Sequence, residues 1–164
     1  MEKKFKFKIR KANSSDISEI LKLIKELAEY ENLLHEVEIN EELLKETLFG
    51  KKSYAEVILA FENNKVLGFA LYFFSYSTFL GRPGIYVEDF FVRKKERGRG
   101  IGKALLCNLA KKVKEFGGGR LDWSVLNWNK KAIDFYEKLG AYHLEEWKMY
   151  RLTGEKLNIL VEGV

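Results

Sequence analysis

The sequence predicts an α/β domain built on a mixed sheet with helices on both faces. Three observations carry that prediction. Two β-rich runs meet at Asn63-Asn64 as a hairpin, and a third run follows close behind. A strand–helix–strand order comes next, the order that makes parallel neighbours. Finally, 164 residues, 46% hydrophobic and 14% aromatic, suffice for one packed core, burying roughly two-thirds of the surface of the unfolded chain. No repeat, low-complexity segment or linker interrupts the chain, so residues 1–164 are read as a single domain.

The elements follow in order. "FKFKIRKA" alternates apolar and basic residues, the period of a half-exposed strand. Ser14 or Ser15 is placed to cap a helix with Ile17, Ile20, Leu21, Ile24, Leu27 and Ala28 on one face. A shorter helix is expected over Glu41–Phe49, stopping at Gly50. "YAEVILAFENNKVLGFALYFFSY" is the hairpin, and "GIYVEDFFV" is a strand after the only proline, Pro83. The next helix buries Ile101, Leu105, Leu109, Ala110 and Val113 and ends at "FGGGR". "RLDWSVL" reads as a strand and "NKKAIDFYEKLG" as a short helix capped by Asn127 or Asn129. "WKMYRLT" reads as a last strand.

Composition narrows the function classes. No run approaches the roughly 20 apolar residues of a membrane span, and "MEKKFKFKIRKA" lacks an apolar signal core. One cysteine, Cys107, excludes an internal disulfide, and two histidines leave little for a metal site. A cytoplasmic protein without a metal is expected. The net charge of +5 raises nucleic acid as a partner, but its distribution argues against it. Glu26 to Glu46 holds eight glutamates and one lysine, whereas Arg93 to Lys103 holds six cations and one acid. A cation-attracting region and an anion-attracting region therefore coexist.

The basic region reads R-G-R-G-I-G-K from Arg97 to Lys103, between a strand and a helix. It is not a P-loop, because Arg97 and Ala104 occupy the first glycine and the hydroxyl positions. It is not the dinucleotide fingerprint either, since Lys103 stands where the third glycine belongs. Glycines at 98, 100 and 102 let backbone amides converge at a helix start, where the dipole favours an anion. Arg97, Arg99 and Lys103 can add charge-assisted contacts. The run reads as a pyrophosphate cradle; a plain basic turn would need one glycine.

This run, after "VEDFFV" and with "NWN" and "AIDFYEKLGA" further on, resembles the acetyl-CoA signature of the GNAT N-acetyltransferase superfamily. Together with "IRKANSSDISEILKLIKELAEYE", it is similar to the spermidine/spermine and thialysine acetyltransferase branch. The resemblance runs from about Ile9 to Ala141. It implies the GNAT fold, a mostly antiparallel sheet with two splayed parallel strands around the cosubstrate, and a homodimer. It further implies that backbone groups of Phe90, Phe91 and Val92 pair with the pantetheine arm. Amides of Gly98, Arg99, Gly100, Ile101, Gly102 and Lys103 would hold the pyrophosphate, with Asn129 on the far side.

The same resemblance places Tyr136 near the cosubstrate sulfur, where a phenol can protonate the leaving thiolate. An amine nucleophile must lose a proton, and Glu88 and Asp89 are the candidates to take it, directly or through water. Alternation puts them on opposite faces unless the strand bulges, and Glu88 is expected to face substrate. Tyr30 and Glu31 match positions that help bind the polyamine. Glu41, Glu42 and Glu46 read as a solvated face, Cys107 as a packed thiol. After Ala141 the tail is shorter before its tryptophan than in the animal polyamine enzymes, which leaves the amine open. The expected activity is direct acetyl transfer from acetyl-CoA to a diamine, polyamine or thialysine-like amine. Acetylation of a protein or peptide amine and a catalytically silent acyl-CoA-binding module are the alternatives.

Overall fold

A computed structural model describes residues 6–163, so Phe5, at the head of the first expected strand, lies outside the described residues. The hairpin turn forms where asparagine tolerates it: Asn63 and Asn64 sit at φ 47° and 65°. They join β2 (Glu56–Glu62) to β3 (Lys65–Ser77). With β1 (Lys8–Lys11), β4 (Arg82–Val92) and β5 (Arg120–Trp123) these make one five-stranded sheet in the order β1-β2-β3-β4-β5. The first three pairings are antiparallel, and β4 with β5 is parallel.

The chain divides into two compact units at Ser124. In the first, α1 (Ile17–Tyr30) and α2 (Glu41–Phe49) pack on one face of the sheet and α3 (Ile101–Glu115) on the other. Strand alternation sorts the side chains: Val57 and Leu59 join the α1/α2 core, Ile58 and Ala60 the α3 core. Ile20, Leu23, Leu59, Leu105 and Leu109 are fully buried, each contributing about 1.5–3 kcal/mol by removal from water.

Local chemistry sets the helix ends. The bounds of α2 coincide with those read from the sequence, and its first turn is held by Asn40, whose Oδ1 accepts the Leu43 amide at 2.9 Å. The start of α1 differs from expectation. Neither Ser14 nor Ser15 caps it; Asn13 caps a 3₁₀ turn over Ser14–Asp16, accepting the Ser15 amide at 2.9 Å while Asp16 accepts the Asn13 amide at 2.9 Å. The tighter turn advances the capping box by one residue. In α1, Leu23 is buried where the periodicity had favoured Leu21 and Ile24, which are partly buried. In α3, Leu106 is buried and Ala110 exposed, because the stripe leans to the side that meets the sheet.

The second unit holds α4 (Lys130–Lys138) and α5 (Glu155–Glu162). Asn129, not Asn127, caps α4, and Gly140 at φ 89° ends it. The last expected strand, over 147–153, does not form. A strand exists only as part of a ladder, and no strand among the described residues pairs with this stretch. β5 likewise stops at Trp123 rather than Leu126, and α5 has no counterpart in the sequence reading. No helix of the described residues is long and apolar enough to cross a membrane.

Candidate active site

Two irregularities of the sheet coincide at Glu88. Along β3–β4, Tyr72 pairs with Val87 and Leu71 with Asp89, so Glu88 is an extra residue and β4 bulges there. Along β4–β5, the parallel ladder runs from Gly84–Arg120 to Val87–Trp123 and stops, while β4 continues to Val92. The strands therefore part company at the bulge. Phe90, Phe91 and Val92 lie on the stretch beyond it, with Phe91 buried in the α1/α2 core and Phe90 packed toward α3.

The bulge also gathers acid. Asp89 is half-buried, and burial pushes its carboxyl from an ordinary 3.8 up to about 6, with the charges of Glu88 and then Glu31 adding to the rise. Glu31, the residue that closes α1, is itself raised by burial. Glu88 is exposed. The structure thus brings together Glu31, Glu88 and Asp89, and burial moves the proton affinity of Asp89 toward neutrality. Such a group suits a cationic ligand, and a carboxyl poised near neutral pH can exchange a proton with it.

Beyond Val92 the chain turns through the basic run. Gly98 and Gly100 take φ 80° and 83°, a region other residues enter at a cost, and Gly100 is the residue on which α3 starts. The amides of Ile101, Gly102 and Lys103 form the first helical turn, where no preceding carbonyl of the helix can accept them. Converging amides, a helix dipole and the exposed Lys103 fit a diphosphate. A pantetheine-sized arm would lead from this cradle along the end of β4.

Two cations of the run have protein partners. The guanidinium of Arg99 donates to both oxygens of Glu62 at 2.9 and 3.0 Å and also to Glu96, which accepts Lys65 Nζ at 2.6 Å. Arg97 donates from Nε to the Val92 carbonyl at 2.9 Å, and its guanidinium carbon lies 4.6 Å from the ring centre of Tyr30 and 5.6 Å from that of Phe91. Tyr30 therefore meets the basic run directly.

Three residues that sequence reasoning did not single out organise this end of the unit. Arg93 bonds to Glu26 at 2.8 and 2.9 Å and to Glu19 at 2.8 Å, and it donates to the Val66 carbonyl at 2.6 Å. It pins α1 to the end of β4. The available signal was faint: Glu19 and Glu26 stand seven apart, two turns along one helix face.

In the second unit, Asn129 accepts the Ala132 amide at 3.3 Å as the cap of α4. Tyr136 is half-buried on that helix, its ring 5.4 Å from that of Phe135.

Comparison with known proteins agrees with this geometry. Residues 18–141 match the model of the acetyltransferase (GNAT) family. Over 163 residues the chain is 41% identical to a thialysine N-epsilon-acetyltransferase of Bos taurus, covering 93% of this chain and 95% of that protein. It is 32% identical to an L-ornithine N5-acetyltransferase of Arabidopsis thaliana, covering 93% of this chain and 87% of the other. Among solved structures, an integron cassette protein from the mobile metagenome of V. cholerae superposes with a TM-score of 0.81 at 30% identity, covering 96% of this chain and 98% of that one.

Proposed function

The chain belongs to the GNAT acetyltransferase family, and from that premise we propose that it moves an acetyl group from acetyl-CoA to a primary amine of a small cationic molecule, a diamine, polyamine or thialysine-like compound. The observation that carries the reading is the acidic group of Glu31, Glu88 and Asp89 at the point where β4 and β5 part, on the strand that leads to the anion cradle. One end suits a cation and the other a diphosphate.

Acetyl-CoA supplies the acyl thioester. The amides of Gly98 to Lys103 hold the diphosphate, and the backbone of Phe90, Phe91 and Val92 lines the pantetheine arm in the manner of an added strand. Tyr30, Glu31 and Asp89 bind and orient the amine. The acceptor ammonium first gives one proton to Glu88 or Asp89, directly or through water, and the freed amine nitrogen then bonds to the acyl carbon as the carbon–sulfur bond breaks. The second nitrogen proton returns through water to restore the phenol named next. The Tyr136 phenol gives its proton to the leaving sulfur, and Asn129 helps set the cosubstrate's position through the start of α4. The family match spans the division at Ser124, which supports treating residues 1–164 as one acetyltransferase domain.

The same reading makes the protein a cytoplasmic homodimer. The single cysteine suits a reducing compartment. Sedimentation tests the dimer, which a monomer at micromolar concentration rejects.

Activity is tested by release of free CoA from acetyl-CoA across putrescine, spermidine, spermine, thialysine, ornithine, lysine and a peptide amine. Turnover with small polycationic amines supports the proposal. Turnover confined to the peptide moves the function to protein acetylation. Tight CoA binding without turnover leaves a silent binding module.

A further inference from the structure

Arg97 opens the glycine run, and by position it belongs to the cosubstrate side. Its contacts lead elsewhere. One guanidinium nitrogen is committed to the Val92 carbonyl at 2.9 Å, and the plane of the group lies against Tyr30 at 4.6 Å and Phe91 at 5.6 Å. The rings of Tyr30 and Phe91 are themselves 6.4 Å apart. A flat cation thus sits between the last residue of α1 and the last residues of β4.

The two arginines divide the holding of α1. Arg93 clamps the helix through Glu19 and Glu26, both at least one turn before its end. Arg97 contacts the final residue, Tyr30, beside Glu31, whose charge reaches Asp89. The orientation of the last turn relative to the β4 acids therefore runs through the Arg97 stack. A cation over a tyrosine face is worth about 0.5–2 kcal/mol, depending on how dry it is.

We propose that Arg97 is a positioning residue for the acceptor amine: by stacking on Tyr30 and bonding the Val92 carbonyl, it fixes Tyr30 and Glu31 against Asp89. The inference rests on reading those three residues as the amine site. It has a sign that simple electrostatics does not share. The acceptor is a cation, so deleting a nearby positive charge should tighten its binding. Losing a positioning residue should weaken it.

The test measures amine binding by calorimetry, with spermidine and thialysine as probes, on the wild type, Arg97→Gln, Arg97→Lys, Tyr30→Leu and the Arg97→Lys/Tyr30→Leu pair. Steady-state KM values for amine and for acetyl-CoA are measured alongside. The expected result is a loss of about 3–10-fold in amine affinity in Arg97→Gln and in Arg97→Lys, which keeps the charge but loses the flat stack. The double variant should bind no worse than the weaker single one, since both remove the same contact. Tighter amine binding in Arg97→Gln overturns the proposal, as does a Lys variant in which only the acetyl-CoA KM rises. Effects that multiply in the double variant overturn it too. Calorimetry does not depend on turnover. Amine binding that weakens as described in a protein that never releases CoA sinks the acetyltransferase reading and leaves Arg97's role standing. Brisk turnover with unchanged amine affinity does the reverse.

Discussion

Removing one negative charge beside Asp89 should move the acid limb of activity. Burial lifts the Asp89 carboxyl from 3.8 to about 6, a preference for the neutral form of about 3 kcal/mol. Burial is the largest of three causes and Glu88 the second, so Glu88 accounts for no more than half the rise. In Glu88→Gln the pKa should fall, by about 1 at most. Asp89 must be charged to hold the amine or accept its proton, so kcat/KM should break downward as pH falls through about 6 in the wild type. That break should lie lower in Glu88→Gln and be lost in Asp89→Asn. The folded state holds the Asp89 proton more tightly than the unfolded chain does. Stability on this account declines as pH rises from about 4 to 6 and stays lower above that window. Asp89→Asn should therefore gain about 1–3 kcal/mol at pH 7, several degrees in Tm, while losing activity. The assays are CoA release from pH 5 to 8 and thermal unfolding over the same range. A break that Glu88→Gln leaves in place, or an Asp89→Asn protein less stable at pH 7, would refute the electrostatic argument.

Further expectations follow from the same geometry. Tyr136→Phe removes the proposed proton donor and should lower kcat about 10²-fold or more with little change in the acetyl-CoA KM; an unchanged kcat removes Tyr136 from the chemistry. Gly100→Ala must hold φ 83° with a side chain, at about 1–2 kcal/mol. It should raise the acetyl-CoA KM and lower Tm, and a variant kinetically identical to wild type would count against the cradle. Gly118→Ala would place a methyl 2.5 Å from Phe116 Cε2, 2.8 Å from Val113 Cγ1 and 3.0 Å from the Pro83 carbonyl. About 1–3 kcal/mol of stability should be lost in denaturant unfolding while activity per folded molecule is kept.

What the sequence made legible is what local chemistry decides. Asn63-Asn64 defined the hairpin because asparagine enters the left-handed region. Gly50 bounded α2, and Gly98 and Gly100 marked the tight turn from which α3 starts. What stayed hidden depends on partners distant in the chain. Whether Glu88 and Asp89 act together turns on the register of Leu71 and Tyr72, a property of the pairing and not of β4. Arg99 finds Glu62 across 37 residues and Arg93 finds Glu26 across 67, distances over which no periodicity speaks. The alternation in "WKMYRLT" is a sound strand pattern, but no strand among the described residues pairs with it. The entry to α1 differs for a smaller reason: Asn13 caps a 3₁₀ turn over Ser14–Asp16 that runs directly into the helix.

The central claim is transfer to a small cationic amine, and its most direct test is competition for limiting enzyme. Acetyl-CoA, spermidine, thialysine and a lysine-containing peptide are supplied together, and the acetylated products are quantified by mass spectrometry to give ratios of kcat/KM. The account predicts that a small amine takes the acetyl group by at least about tenfold over the peptide, a margin of about 1.4 kcal/mol in the transition state. Equal partition or a preference for the peptide would contradict it.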